Sequence, residues 1–95
     1  MSAYLIGQTE ISDHETYDRY KAQVLPTIQK FGGRFIVRGG TPEVLEGGWR
    51  PSRMVVIEFP SMQHIRDWFA SPDYAPLLAL RKSAAVVHLV AVDGC

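Results

Sequence analysis

One stretch of the sequence constrains the fold more than any other, the segment Arg53–Ser61, which reads Arg-Met-Val-Val-Ile-Glu-Phe-Pro-Ser. Its apolar run is almost continuous and leaves no polar face, so it predicts a strand that is covered on both sides. Glu58 lies inside this run. An unpaired buried carboxylate is too costly to keep charged, so we expect Glu58 to have a polar partner. The segment therefore predicts a buried strand with a polar position inside it.

The overall composition excludes several classes of protein. A chain of 95 residues predicts one domain, spanning 1–95, and 46% hydrophobic residues are typical of a globular protein. Ten basic and ten acidic residues give a formal charge of zero. We therefore expect neither a nucleic acid nor a membrane as a partner, and a near-neutral chain tends to self-associate. No apolar run approaches the roughly 18 residues of a membrane span.

The single cysteine and the first residues indicate the compartment. Cys95 is the only cysteine, so neither an intrachain disulfide nor a cysteine cluster for zinc can form. The segment Met1–Gly7 lacks a basic stretch followed by a long apolar one, which predicts that the chain carries no signal peptide. Together these features predict a soluble cytoplasmic protein.

Alternating and continuous apolar patterns predict the strands. They are expected at Tyr4–Ile11, Arg34–Arg38, Arg53–Phe59 and Val86–Val92, with a brief additional strand at Val44–Glu46. The third of the four main strands is the segment described above. Glycines follow the second strand, where we expect it to end.

Capping residues and prolines delimit the helices. A first helix follows the N-cap residue Asp13 and ends at Gly32, and Pro26 within it is expected to kink the helix or to split it. A second helix follows Ser61. It is interrupted at Ser71–Asp73, where a new helical segment begins and runs to about residue 82.

The resulting order, β-α-β-β-α-β, predicts the ferredoxin-like fold of the α+β class, in which a four-stranded antiparallel sheet carries both helices on one face. Adjacent apolar residues such as Val55 and Val56 must point to opposite faces, so the helix-free face is apolar too. An apolar face of that size is more often a partner surface than a solvent surface. We expect a homodimer through this face, which would make a dimeric α/β barrel. A monomer with an exposed apolar face is the alternative.

Several motifs resemble one protein family when they are taken in order along the chain. They are Phe31–Phe35, Val37–Gly40, Leu45–Gly47, Arg53–Ser61, Trp68–Tyr74 and Arg81. The chain resembles the domain-of-unknown-function family thirteen-thirty over nearly its whole length. The resemblance implies the dimeric α/β-barrel superfamily, which also holds small monooxygenases, isomerases, cyclases and haem-handling enzymes, but it implies no particular reaction. One departure is Phe69, which stands where such motifs often carry tyrosine.

Arg38 and Glu58 are the first candidates for a binding site. They lie centrally in neighbouring strands of a hairpin, where both side chains can share one face. One interpretation is a cleft in which Arg38 binds an anionic or carbonyl group and Glu58 positions it or takes a proton. The other is a buried ion pair that fixes the hairpin register or the dimer. Arg53, a secondary candidate, is expected to point to the face opposite to that of Glu58 and to form an ion pair at the edge.

Three aromatic residues are further candidates. Trp68 and Tyr74 flank the interruption of the second helical region and can form an aromatic wall and a hydroxyl donor at a pocket mouth. Their helical spacing also fits simple core packing. Trp49 lies in a glycine-rich connection. A large aromatic on a loop predicts a pocket lid or an anchor in a dimer interface, and we favour the anchor.

The three histidines do not predict a metal site. No pair has the spacing of a metal-binding helix and no cysteine pair joins them, so we expect neither a metal nor a cofactor. His64 lies one helical turn before Trp68 and is a secondary candidate for the pocket. The chain contains no asparagine, so the asparagine–tryptophan–histidine set of haem-degrading relatives cannot be assembled. Haem binding through His64 or His88 stays an alternative.

Two classes of function follow. The first is a protein that binds or processes a small organic molecule in a pocket between sheet and helices, using Arg38, Glu58, Trp68 and Tyr74. Cofactor-free oxygenation, isomerisation or cyclisation is what the resemblance suggests for such a pocket. The second is a non-catalytic dimeric accessory or stress-related module. A solvent-reachable cavity that holds Arg38 and Glu58 would favour the first, and a sealed pair would favour the second.

Overall fold

Alternating burial along the first strand shows how the sequence builds one covered face of the sheet. In β1 (Ala3–Ile11) the side chains of Ala3, Leu5 and Thr9 are buried, whereas most residues between them are only partly covered. This period of two is that of a strand with one face on a core. The structure is a computed structural model that describes residues 1–95, and it places all the helices on this face.

Three helices and three further strands follow β1. They are α1 (His14–Lys30), β2 (Arg34–Gly40), β3 (Met54–Phe59), α2 (Met62–Phe69), α3 (Ala75–Ala84) and β4 (Ala85–Asp93). The strands lie in the order β2-β3-β1-β4, and every neighbouring pair is antiparallel. This arrangement confirms the predicted ferredoxin-like α+β fold, with the second helical region divided into two pieces as expected.

Capping and an apolar stripe explain α1. Asp13 accepts a hydrogen bond from the backbone N–H of Thr16, and the buried residues of the helix recur at spacings of three and four. The expected split at Pro26 does not occur. Pro26 is exposed on the solvent side of the helix, so the carbonyl that its missing N–H leaves free, that of Ala22, can be solvated.

The connection between β2 and β3 departs from expectation. The brief strand predicted at Val44–Glu46 does not form, and residues 41–50 have no regular structure. Prolines at both ends of this connection lack the N–H that a strand ladder requires. β2 instead runs past Arg38 through the two glycines, with Gly39 at φ +77°, because register shifts within the strand accommodate them.

The core fills the space between the sheet and the helices. Its largest fully buried side chains are Trp68, Tyr74, Phe59, Ile28 and Val24. No helix covers the opposite face of the sheet, and Val86, Val90 and Val92 of β4 are each about half exposed there. Within a single chain the helices cover only one side of β3, so the prediction that both sides are covered holds for the core side alone.

Candidate ligand-binding cavity

A cavity lies between the sheet and the helices. It is lined mainly by apolar side chains of all four strands and of α1 and α2. The space that a water molecule can reach inside it is about 40 Å3, which is room for about three waters. A larger ligand requires lining side chains to move. The polar and charged lining residues are Thr9, Tyr17, Tyr20, Lys21, Arg38, Arg53, Tyr74 and Arg81.

All charged residues that line the cavity are basic. Lys21 comes from α1, Arg38 from β2, Arg53 from the residue before β3, and Arg81 from α3, and no aspartate or glutamate lies among the lining residues. Positive charges on low-dielectric walls reinforce one another. The cavity therefore favours an anionic group over a neutral or cationic one.

Tyr20 and Tyr74 form a buried hydroxyl pair in this cavity. Their oxygen atoms are 2.9 Å apart, so one hydroxyl donates a hydrogen bond to the other. Burial raises the pKa of both tyrosines, and the nearby positive charge of Arg81 only partly opposes this effect. Both hydroxyls are therefore protonated at neutral pH. Their mutual bond uses one of the two protons, and the other is available to a ligand.

Arg53 lines the cavity and stacks on the ring of Tyr17. Its Nη1 donates a hydrogen bond to the hydroxyl of Tyr17 at 3.3 Å, and its guanidinium lies 5.4 Å from the centre of that ring. Arg53 faces the helices and Glu58 does not, so the prediction that these two side chains point to opposite faces of the sheet is correct. The predicted edge ion pair is wrong, because no carboxylate lies within ion-pairing distance of Arg53.

Arg38 lies at the rim of the cavity. Its Nη2 donates to the backbone carbonyl of Lys21 at 3.0 Å, and its guanidinium stacks 4.2 Å from the centre of the Phe35 ring. Both residues line the cavity, and the Arg38 side chain is exposed. This candidate therefore lies at the solvent-exposed edge of the cavity.

Glu58 lies on the opposite, helix-free face. Its Oε1 accepts a hydrogen bond from Nε of Arg34 at 2.7 Å, and its Oε2 accepts one from the Tyr4 hydroxyl at 3.1 Å. The bond from Arg34, followed by that from Tyr4, lowers the pKa of Glu58. The expectation of a polar partner is confirmed. A role for Glu58 in this cavity is excluded by its position.

The predicted pair of Arg38 and Glu58 does not form, and a β-bulge explains why. Arg34 pairs with Glu58 and Phe35 with Ile57, but Val37 then pairs with Val56, so one extra residue is inserted into β2. Because side chains alternate between faces, one extra residue reverses the direction of every side chain that follows. The bulge thus turns Arg38 toward the helices and away from Glu58.

Trp68 and Tyr74 are brought together inside the cavity wall. Their ring centres are 4.0 Å apart, both residues are fully buried, and Trp68 Nε1 donates to the Thr27 hydroxyl at 3.1 Å. They therefore belong to the interior of the cavity and to the core at once. The expected position at the pocket mouth is wrong.

The remaining candidates lie outside the cavity. Trp49 is 62% exposed, and its Nε1 donates to Oε1 of Gln8 at 2.8 Å on the helix-free side, so it is no lid of this cavity. His64 lies in the first turn of α2, with its Nδ1 2.7 Å from the hydroxyl of the N-cap residue Ser61. His88 is exposed on β4. No group of three or more histidine, cysteine, aspartate or glutamate residues lies close enough together to hold a metal ion.

Sequence reasoning missed several lining residues as site candidates, among them Arg81, Tyr17 and Tyr20. The two tyrosines fit the apolar stripe of α1, and this pattern does not indicate where their hydroxyl groups lie. Arg81 occurs on a buried stripe of α3 with Leu77 and Ala84, at spacings of four and three. A charged residue on such a stripe is the signal that could have revealed it.

The family model described as "Domain of unknown function (DUF1330)" matches residues 2–95. The chain belongs to this family. The motifs of the sequence indicated the same family, so that prediction is confirmed. No curated protein matches the chain at a significant level.

Solved structures with little sequence identity share the fold. A protein of unknown function from Rhodopseudomonas palustris is 16% identical with a TM-score of 0.81, over 99% of this chain and 82% of that one. SnoaB, a cofactor-independent oxygenase from Streptomyces nogalater, is 10% identical with a TM-score of 0.71, over 99% and 93%. A dimeric ferredoxin-like protein of unknown function from Jannaschia sp. CCS1 is 11% identical with a TM-score of 0.71, over 99% and 100%.

None of the three helices is both long enough and apolar enough to cross a membrane.

Proposed function

We propose that this protein binds a small organic molecule in the cavity between the sheet and the helices. The observation that carries this proposal is the composition of the cavity wall. Apolar side chains form most of the wall, the Tyr20–Tyr74 hydroxyl pair and the side chains of Arg53 and Arg81 line the cavity, and Arg38 lies at its rim. Small-molecule sites are built in this way, from an apolar lining with a few placed polar groups.

Entry of the ligand takes place at the rim formed by Lys21 and Arg38. Both are long side chains with many rotamers, Arg38 is exposed and Lys21 is half buried, so both can swing outward. The interior walls, by contrast, are packed rings such as Trp68 and Tyr74. The ligand therefore enlarges the cavity by displacing its rim, and it lies against the aromatic wall.

Processing of the bound molecule is the second part of the proposal. The Streptomyces nogalater protein named above is an oxygenase that needs no cofactor, and it supports the same general chemistry for this fold. The hydroxyl pair of Tyr20 and Tyr74 stays protonated, so it serves as a hydrogen-bond donor to an oxyanion that develops on the ligand. It cannot serve as a base at neutral pH.

The protein acts as a homodimer of one domain, 1–95, joined through the helix-free face. This face exposes apolar residues of the edge strand β4, and it carries Trp49 above β1. The Jannaschia relative is a dimer, which supports the same assembly here. Two such faces packed together would form the dimeric barrel and would cover the second side of β3.

Tryptophan fluorescence of a Trp49→Phe variant tests the binding proposal, since Trp68 is then the only tryptophan and lies in the cavity wall. Small aromatic compounds, and any molecule that native mass spectrometry detects on the purified protein, are titrated against it. We expect bound compounds to change the emission of Trp68.

A matched pair of variants locates the ligand. Val87→Phe, on the cavity side of β4, should abolish binding because the larger ring fills the cavity, whereas Val86→Phe on the other face should not. Compounds that bind both variants equally, with no change in Trp68 emission, would place the ligand elsewhere. If no compound binds, the non-catalytic accessory module is the correct interpretation.

A further inference from the structure

Arg81 is a buried arginine without a partner. Its side chain lines the cavity, the residue is only 7% exposed, and its Nε is buried with no hydrogen-bond acceptor. Neither of the two ion pairs in the structure involves Arg81. No other buried side-chain nitrogen or oxygen in the protein lacks a partner. The unpaired group is therefore a single, localised feature of the cavity.

An unpaired buried guanidinium requires compensation. Arginine does not lose its charge in proteins, so Arg81 cannot become neutral as a buried lysine can. Its place in the last turn of α3 supplies some compensation through the helix dipole. Its guanidinium does not stack on an aromatic ring, unlike those of Arg38 and Arg53. The dipole does not provide an acceptor for the buried N–H group.

The hydroxyl pair of the cavity also offers a hydrogen-bond donor that has no acceptor. The hydroxyl pair of Tyr20 and Tyr74 has one proton without an acceptor, and the positive charge of Arg81 acts on both of these hydroxyls. No acidic residue lines the cavity. A guanidinium and a hydroxyl donor that lie together in an apolar surrounding match the two oxygen atoms of a carboxylate.

We propose that Arg81 binds the carboxylate of an organic anion, with a hydrogen bond from the Tyr20–Tyr74 pair and with the apolar part of the anion against Trp68. This inference rests on the proposed function and names the class of its ligand. The forked guanidinium matches a planar carboxylate through paired hydrogen bonds. The small interior accepts the carboxylate first, while the remainder of the molecule extends toward the rim at Arg38.

The test compares anions with neutral amides of the same shape. Formate and formamide, then benzoate and benzamide, are added at constant ionic strength to the wild type, to Arg81→Met and to Lys82→Met. Lys82 is the exposed neighbour of Arg81 on α3, so its variant loses the same charge without changing the cavity. Thermal unfolding reports stabilisation, and Trp68 emission in the Trp49→Phe background reports binding of the aromatic compounds.

We expect formate to raise the melting temperature of the wild type and of Lys82→Met but not of Arg81→Met, and formamide to raise none. Benzoate should bind the wild type about tenfold or more tightly than benzamide, since a hydrogen bond to a charged group contributes that much. This preference should disappear in Arg81→Met. The unliganded Arg81→Met protein should be at least as stable as the wild type, because an unpaired charge is removed.

The outcomes separate the two proposals. Equal binding of benzoate and benzamide to the wild type overturns the anion site and leaves the proposed function in place, whether or not Arg81→Met folds. Equal stabilisation of all three proteins by formate also overturns the anion site. If formate acts through Arg81 while neither aromatic compound binds, the contact of the apolar part of the ligand with Trp68 is overturned.

Discussion

At the scale of single residues, the charge of Glu58 depends on Arg34 and Tyr4. The folded-state pKa of Glu58 lies below its ordinary value of 4.5, so its carboxylate contributes stability above that pH and loses it as the pH falls through the folded value. The pKa of Tyr4 is raised above 10.0, mainly by its hydrogen bond to Glu58. Its contribution is present below pH 10.0 and is lost as the pH rises through the folded value.

Replacing Arg34 should raise the pKa of Glu58. In Arg34→Met we expect the value to move toward 4.5 but to stay below it, because the Tyr4 hydrogen bond remains. Arg38→Met is the matched control, since Arg38 lies on the other face and should leave the Glu58 titration unchanged. Carbon-detected NMR of the Glu58 carboxyl group measures the pKa of Glu58 in both variants. An equal shift in the two variants would mean that the bulge does not separate Arg38 from Glu58.

At the scale of elements, the bulged strand β2 depends on Gly39. Its φ of +77° is in the left-handed region, and a Cβ atom there would lie 2.6 Å from Nη2 of Arg53. This conformation lets the backbone pass close to the guanidinium that contacts Tyr17. Gly40, the next residue, has a φ outside the left-handed region. A Cβ atom added to Gly40 would have Val37 Cγ1 as its nearest neighbour, at 3.5 Å.

Gly39→Ala should therefore destabilise the protein by about 1–2 kcal/mol, the usual cost of a left-handed conformation for a residue with a Cβ atom. Gly40→Ala should change stability by less than about 0.5 kcal/mol, as most surface substitutions do. Urea unfolding of both variants gives the comparison. Similar free energies of unfolding for the two variants would show that the left-handed turn at position 39 is not required.

At the scale of the whole molecule, the proposed dimer depends on the helix-free face of the sheet. Val56 lies on this face between Ile6 of β1 and Val37 of β2. We expect the wild type to sediment at twice the mass of the chain at micromolar concentration, and Val56→Glu to sediment as a monomer or to unfold. The reason is that an uncompensated charge in a buried interface costs several kcal/mol.

Ala79→Glu is the control for this change, because Ala79 is exposed on α3 and the substitution introduces the same charge on the helix layer. It should leave the sedimentation coefficient unchanged. A wild-type protein that sediments at the mass of one chain would refute the dimer. Loss of the dimer in both variants would place the interface on another surface.

Much of the fold follows from patterns within short segments. The period of two in β1, the apolar stripe of α1 and the caps Asp13 and Ser61 each depend on residues only a few positions apart, so local patterns predict these elements and their order. The interruption at Ser71–Asp73 was likewise visible in the sequence. The aromatic candidates Trp68 and Tyr74 were found by the same local reasoning.

Which polar groups come into contact depends on the pairing and packing of elements that are distant in the chain. A single extra residue in β2 turned Arg38 away from Glu58, and no local pattern reports such a shift, because it depends on the pairing of β2 with β3. The packing of α3 against α1 likewise places Arg81 near Tyr20 and Tyr74. These two tyrosines are themselves more than fifty positions apart in the chain. Short-range propensities determine elements, whereas a site requires the register and packing of elements that are distant in sequence.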